Sequence, residues 1–188
     1  MRWAVPVLLL AACSGTGGAP GGALDEAGFW AVVQQAAATG GPHVEDRAAA
    51  LSALLKGADA RRLESWDRLL YAAHESLATT ELAQAAGIVC GSSVSVVDVR
   101  SWLIAQGRAV VEAVVADPDA LAGIADLRDA CAGSGEAFAD AATALYSDLG
   151  FEPGGDAWPL VESVATRGPR LSPALLRSRL PRLTARFG

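Results

Sequence analysis

The chain has 188 residues, a formal net charge of -6 at pH 7 and a hydrophobic content of 52%, with three cysteines. That length supports one domain with a buried core, and the negative charge argues against nucleic acid as a partner. Few segments alternate apolar and polar residues, so the sequence predicts an all-α fold, an irregular bundle of about seven to nine short helices.

Residues 1–12 have the features of a secretory signal. Arg2 provides one positive charge, and an apolar run over residues 3–10 follows it. Such a run is too short to cross about 30 Å of hydrocarbon as a helix, and it fits the apolar part of a signal peptide. The sequence LAAC at residues 10–13 resembles the bacterial lipobox. The resemblance implies cleavage of the signal and acylation of Cys13, which becomes the new N-terminus.

Residues 13–23 are rich in glycine, and we predict that they form a flexible tether between the lipid and the domain. Two acyl chains hold a protein stably on a membrane, so membrane lipid is the first expected partner. Ser14 stands where an aspartate would favour retention at the inner membrane, so the outer membrane is favoured over the inner. An ordinary cleaved signal, or a buried first helix with a core cysteine, is the alternative.

The rest of the chain, residues 24–188, is predicted to form a single helical domain. Apolar periodicity and capping residues predict its first helices over residues 24–38, 43–56, 59–77 and 79–89. The third is the clearest, and its apolar stripe consists of Leu63, Trp66, Leu70, Ala73 and Leu77.

Capping residues and prolines predict where the helices of the second half of the domain begin and end. Asp117-Pro118 and Ser172-Pro173 each place a capping residue before a proline at the first helical position. Pro181 must bend or break the last helix, and residues 150–169 are predicted to be mostly loop. Residues 95–98 have capping-box-like spacing and precede a helix predicted over residues 99–106. The further helices are predicted over residues 108–116, 136–149 and 174–187.

Three segments of the domain are distinctive together. They read LDEAGFWAVV (24–33), SWLIAQGRAVVEAVVADPDALA (101–122) and GEAFADAATALY (135–146). These segments resemble a bacterial family, domain-of-unknown-function family 4240, and the closing PRLTARFG (181–188) is similar to that family's usual ending. The resemblance covers essentially residues 24–188. It implies a mainly helical domain and no established activity.

The chain departs from that family just before the WLIAQGR segment. Members typically carry tryptophan and tyrosine on one helix, followed by a glycine–cysteine turn and acidic residues. The stretch here reads ELAQAAGIVCGSSVSVVDVR (81–100), with alanine or glycine at the aromatic positions and Ser93 and Val94 near the acidic ones. Any site that the family builds from those side chains is expected to be absent or altered. Most members also lack a lipoprotein signal, so this chain resembles a diverged, exported branch.

Signatures of catalysis and metal binding are weak in this sequence. It has two histidines, His43 and His74, and no GxSxG nucleophile motif. His74 lacks the second histidine of an HExxH zinc site, so we expect no metal and no cofactor. We interpret His74 as a helix-interface residue, and a Ser-His-Asp triad assembled only in space is the alternative.

Cys90 and Cys131 remain when Cys13 is assigned to the lipid. In an oxidising compartment such an even pair can form a disulfide. Closing a loop of about forty residues would stabilise the domain by roughly 3–4 kcal/mol. Two buried free thiols are the alternative, and the sequence leaves both interpretations open.

Charge is distributed unevenly along the domain. Residues 112–156 contain ten acids and one base, whereas the only charged residues after Glu162 are six arginines. We expect this basic tail to fold back on the acidic block, and contact with anionic lipid is the alternative.

Four residues around the WLIAQGR segment are candidate ligand or partner residues: Arg100, Trp102, Gln106 and Arg108. Trp102 and Gln106 are four residues apart and share a helix face, whereas the two arginines project elsewhere. The simpler interpretation places Trp102 in the core and pairs the arginines with nearby acids.

The leading functional hypothesis is a lipid-anchored, non-enzymatic helical module on the periplasmic side of a bacterial membrane, which binds an unknown protein or small molecule. The alternative is an exported, hydrolase-like enzyme whose site is assembled in space. A deep pocket lined by converging polar groups would favour the enzyme, and a flat apolar patch of roughly several hundred Å² would favour the binding module.

Overall fold

The computed structural model of the protein describes residues 21–150 and 161–188. Within these two ranges, α-helices and short 3-10 helices follow one another without any strand, and Thr79 and Arg167 form an isolated β-bridge. The predicted all-α fold, an irregular bundle of short helices, is confirmed. The predicted signal, Cys13 and the tether as far as residue 20 lie outside the described residues.

The helices are short and closely spaced along the chain. The α-helices are α1 (Glu26–Gly40), α2 (Val44–Leu55), α3 (Ala60–Ser76), α4 (Thr80–Cys90), α5 (Val96–Ala105), α6 (Arg108–Ala116), α7 (Ser134–Ala139), α8 (Thr143–Asp148), α9 (Pro173–Arg179) and α10 (Pro181–Phe187). The 3-10 helices are Pro118–Gly123, Leu127–Ala132, Asp140–Ala142 and Val161–Ser163. In the described part of the chain, no helix has both the length and the apolar character needed to cross a bilayer.

Polar side chains begin many of these helices. Each accepts a hydrogen bond from the backbone N–H three residues later, at 2.7–3.3 Å. Those N–H groups have no partner inside the helix, so a cap determines where the helix starts. The residues that cap in this way are Asp25, Asp59, Thr79, Ser95 and Ser172.

Two of the predicted helices take a different form in the structure. The helix that starts at Pro118 is a 3-10 helix rather than an α-helix, although Asp117 caps it as expected. The single helix predicted over residues 136–149 is instead α7, a 3-10 turn and α8. In that turn the Ala141 carbonyl accepts a hydrogen bond from the Ser52 hydroxyl of α2 at 2.6 Å. A tertiary contact there competes with the regular helical hydrogen bonds.

Two features of the predicted helices are as expected. The apolar stripe of α3, from Leu63 to Leu77, is buried along its length. Pro181 separates α9 from α10, because proline lacks the N–H that a continuous helix would need.

Helix α5 occupies the centre of the bundle. Its seven consecutive residues from Val99 to Ala105 are all buried, and they include the polar residues Arg100 and Ser101. Helix α7 approaches so closely that a Cβ atom on Gly135 would lie 1.9 Å from the carbonyl oxygen of Asp98. Only glycine allows these two backbones to meet at that distance.

A disulfide joins Cys90 at the end of α4 to Cys131 in the 3-10 helix Leu127–Ala132. The two Cα atoms are 5.2 Å apart and the residues are 41 positions apart in sequence. This separation of the Cα atoms lies within the usual range for a disulfide. Of the two interpretations that the sequence leaves open, the structure contains the paired one.

The C-terminal segment, residues 164–172 between the 3-10 helix Val161–Ser163 and α9, crosses the junction of α3 and α4. The N–H of Arg167 donates to the carbonyl of Ala78 at 2.8 Å, and the N–H of Thr80 donates to the carbonyl of Arg167 at 2.7 Å. Further along, the side-chain amide of Gln84 both donates to the carbonyl of Leu171 and accepts from its N–H, at 2.9 and 2.8 Å. The backbone of this segment is therefore held by hydrogen bonds as well as by its side chains.

Asp119 holds the last helix in place. Its buried carboxylate accepts hydrogen bonds from the N–H groups of Arg182 and Leu183, at 3.0 and 2.8 Å, where α10 begins. It also accepts from Nε of Arg182 at 2.9 Å. Burial acts to raise the pKa of Asp119, but the hydrogen bonds outweigh it and hold the pKa below its usual value. Leu180 and Leu183 are then fully buried.

The basic tail folds back on the acidic block only in part. Arg182 lies against Asp117 and Asp119, which belong to that block. Arg179 instead pairs with Glu81 of α4 at 3.2 Å, outside the block.

Replacing Asp119 with alanine leaves the N–H groups at the start of α10 without a partner. We expect the free energy of unfolding to fall by about 2–3 kcal/mol. Replacing Arg182 with alanine removes a half-exposed partner and should cost less than about 1 kcal/mol. Urea unfolding followed by circular dichroism measures both losses. Equal losses would show that the ion pair, rather than the helix cap, holds α10.

Candidate functional site

The four candidate residues on and beside α5 do not form one cluster. Trp102 belongs to the hydrophobic core. Arg100 is directed toward α3 and the C-terminal segment, and Gln106 contacts α2. Arg108 lies on the surface at the first turn of α6.

Arg100 is 2% exposed, and its partners are backbone carbonyls. Its guanidinium donates to the carbonyls of Val164 and His74 at 3.4–3.5 Å. Burial lowers its pKa, although an arginine remains charged at neutral pH. Arg100 therefore connects α5 to α3 and to the C-terminal segment.

His74 and Ser101 form a buried pair between α3 and α5. Ser101 Oγ lies 3.2 Å from His74 Nε2, and both residues are 0% exposed. Burial, and to a smaller extent the charge of Arg100, lower the pKa of His74 to about 3, so the ring is neutral at physiological pH. Within the described residues, His74 Nδ1 has no hydrogen-bond partner. A Ser-His-Asp triad needs a carboxylate at that atom and a hydroxyl that substrate can reach, so this pair is an internal structural contact.

Gln106 is positioned by Arg47, a residue that the sequence did not single out. Arg47 Nη1 donates to Gln106 Oε1 and to the carbonyl of Ala105, both at 2.8 Å, and its Nε donates to the carbonyl of Gly41 at 2.6 Å. One guanidinium thus supplies donors where α1 and α5 end. Two of these partners are 58 and 59 positions away, so no local pattern could have revealed the contact.

A groove between α1, α3 and α6 has Arg108 at its edge. Its volume is about 330 Å³, at the lower end of the range for ligand sites. Val115 is 49% exposed and Trp30 is half-buried. We call this the apolar groove, and its apolar lining residues are Phe29, Trp30, Leu69, Ala72, Ala73, Val111 and Val115.

A shared ion pair forms the rim of the apolar groove. Arg108 Nη2 lies 3.1 Å from Glu26 Oε1, and Arg108 Nε lies 2.6 Å from Glu112 Oε1. The hydrogen bond and charge of Glu112 raise the pKa of Arg108 further. Because two carboxylates share one guanidinium, the rim has an excess of one negative charge.

A second cavity of about 380 Å³ lies beside the apolar groove, next to α4. Ser76 and Val115 line both spaces. The second cavity is more polar, because Glu81, Asp117 and Arg179 lie along it. The apolar groove and this charged cavity are therefore neighbours on the surface.

Four carboxylates line a third cavity, of about 270 Å³, near the start of α5: Asp98, Glu136, Asp140 and Glu162. Burial, followed by the neighbouring carboxylates, raises the pKa of Asp140. Among the described residues, no group of three or more histidine, cysteine, aspartate or glutamate side chains could hold a metal ion. We therefore assign no ligand set to this cavity.

Comparison with known proteins gives one match. A family model described as "Protein of unknown function (DUF4240)" matches residues 24–148. No curated protein and no solved structure matches the chain. The matched range runs through α1 to α8 and includes every residue that lines the apolar groove.

Asp67 of α3 is a half-buried polar group beside the core. It accepts a hydrogen bond from the hydroxyl of Tyr146, a buried residue of α8. Burial raises the pKa of Asp67 to about 6, and the hydrogen bond from Tyr146 acts in the opposite direction. Burial and the hydrogen bond to Asp67 raise the pKa of Tyr146. The pair therefore favours a neutral tyrosine beside a carboxyl group that gains its proton in mildly acidic solution.

This pair predicts a pH dependence of stability. The pKa of Asp67 rises from 3.8 to about 6 on folding, so the folded chain binds the proton more tightly than the unfolded chain. The resulting stabilisation is fully present below about pH 4 and is lost as the pH rises through 6.

Asp67→Asn keeps an oxygen that can accept from Tyr146 and removes the charge. We expect it to raise the free energy of unfolding by about 1–3 kcal/mol near pH 7.5 and to change it little near pH 4. Urea unfolding of both proteins at the two pH values measures the difference. A gain of the same size at both values would contradict the assigned titration.

Proposed function

Because the chain belongs to family 4240, a family of proteins of unknown function, we propose a function from its own residues: it is an exported bacterial lipoprotein whose helical domain binds a partner at the membrane surface. In this proposal the signal of residues 1–12 is removed and acylated Cys13 inserts into membrane lipid. Residues 13–23 form the tether. The domain acts on the periplasmic side, at the outer membrane in preference to the inner.

The Cys90–Cys131 disulfide is the observation that carries the proposal of export. Disulfides persist in the periplasm and outside the cell, and they are rare in the bacterial cytosol. The chain has three cysteines, so pairing two of them leaves Cys13, which is the residue that the lipobox would acylate. The parity of the cysteines and the position of the lipobox thus support the same compartment.

Two contacts of the first described residues support a tether that joins the domain at α3. The N–H of Gly22 donates to Asp59 Oδ2 at 3.1 Å, and the N–H of Leu24 donates to Ser65 Oγ at 2.7 Å. The chain therefore joins the domain beside the first turns of α3. Cys13 and Gly22 are nine positions apart, and such a segment reaches about 30 Å at most. An anchor at Cys13 would keep the domain close to the membrane.

The apolar groove supports a binding role for the domain. Its aromatic wall is continuous with the core, since the ring centroid of Phe29 lies 4.9 Å from that of Trp30 and 4.7 Å from that of Trp66. A surface that is held in shape before binding loses less entropy on binding. The open, apolar form of this groove favours an interaction module over an enzyme with an enclosed polar site.

Replacing Cys13 with alanine should abolish acylation, because alanine has no thiol to accept the acyl chain. Labelling of cells with radioactive palmitate, followed by isolation of the protein, measures this. Ser14→Ala is the matched control, since it changes the adjacent residue and keeps the thiol. Label on the Cys13→Ala protein, or none on the parent chain, would contradict the proposed anchor.

The disulfide gives a second test, independent of the lipid. Non-reducing mass spectrometry of protein isolated from its native compartment should yield a cross-linked peptide containing Cys90 and Cys131. Reduction should lower the free energy of unfolding by about 3–4 kcal/mol, because it frees a loop of 41 residues. Two cysteines that alkylate freely without reductant would contradict export.

A further inference from the structure

We propose that the apolar groove binds a peptide segment in which a lysine or arginine lies beside a large apolar side chain. This inference rests on the proposed function, because it names the chemistry of the partner that the domain would bind. It is carried by the charge at the rim, the walls of the groove and the size of the space.

The rim offers carboxylate oxygens to a ligand. Arg108 contacts Oε1 of Glu26 and Oε1 of Glu112. Among the contacts of the described residues, Oε2 of each glutamate has no partner, and the two side chains are 65% and 62% exposed. A cation can therefore reach both carboxylates without displacing Arg108. An anion at the same place would meet two negative charges and one positive charge.

The walls of the groove suit the apolar part of such a segment. The side chain of Val115, near the end of α6, is 49% exposed, whereas that of the adjacent Val114 is buried. The half-buried indole of Trp30 lies in the same wall. Covering this surface removes apolar area from water, and an indole face also attracts a nearby cation. Both effects favour an apolar side chain with a basic neighbour.

The size of the groove favours a peptide segment over other occupants. A space of about 330 Å³ lies at the lower end of ligand sites and accommodates one or two side chains. Anionic lipid would place its headgroup against the carboxylates at the rim. A second copy of this chain would bring its own formal net charge of -6, and like charges repel.

Calorimetric titration with two short peptides tests the inference. The probes are acetyl-Gly-Leu-Phe-Lys-Gly-amide and the same peptide with glutamate in place of lysine. The protein is the disulfide-bonded full chain carrying Cys13→Ala, at low ionic strength. We expect the lysine peptide to bind about fivefold more tightly, the ratio that a partly exposed ion pair can supply. Added salt should reduce this ratio.

Three variants test whether the peptides bind at the apolar groove. Glu26→Gln with Glu112→Gln should remove the preference for lysine and leave the binding of the glutamate peptide unchanged or stronger. The matched control, Glu45→Gln with Asp148→Asn, removes two exposed charges elsewhere, one of them also in the first turn of a helix. It should keep the preference. Val115→Ser should weaken both peptides by a similar factor.

Several outcomes would overturn the inference. These are equal or tighter binding of the glutamate peptide, no binding of either peptide, or a lysine preference that survives Glu26→Gln with Glu112→Gln. Concentration-dependent dimerisation that Val115→Ser abolishes, measured by sedimentation velocity, would assign the groove to a second copy. Because palmitate labelling of Cys13 does not depend on the groove, failure of the peptide test and failure of the lipid anchor are distinguishable.

Discussion

Helix α5 is buried from Val99 to Ala105, and a polar group without access to water needs a partner within the protein. The guanidinium of Arg100 therefore contacts carbonyls on α3 and the C-terminal segment, and Ser101 contacts His74. Where α5 ends, Arg47 supplies the donor for the carbonyl of Ala105. Much of the tertiary arrangement follows from this one buried helix, since its polar partners come from α2, α3 and the tail.

The C-terminal tail is part of the domain because it supplies a partner for a buried polar group. The carbonyl of Val164 accepts hydrogen bonds from buried Arg100. Removing the tail would therefore leave the charged guanidinium of Arg100 without this partner. Asp119 then extends the attachment to α10, and the buried side chains of Leu180 and Leu183 complete the core. The groove lies outside this network, on a face formed by α1, α3 and α6. Covering its wall would therefore leave the contacts of the buried interior unchanged.

Prediction from the sequence succeeded where neighbouring residues decide the outcome. The cap at Ser95 and the break at Pro181 depend on hydrogen bonds within a few positions, and both are present. It failed for the helix over residues 136–149, because the partner of the Ala141 carbonyl is Ser52, 89 positions away. The candidate residues Arg100 and Arg108 were close in sequence, but α5 directs one inward and α6 carries the other at the surface.

The sequence by itself determined the helical class, most helix starts and the even number of cysteines that remain when Cys13 is set aside. These properties follow from backbone propensity, local hydrogen bonding and residue counts. Only the tertiary structure decided that Cys90 meets Cys131, that Arg47 holds Gln106, and that Glu26 and Glu112 share Arg108 above an apolar wall. Each of these depends on how distant helices pack, because burial removes water as a partner and leaves only the groups that packing brings within reach.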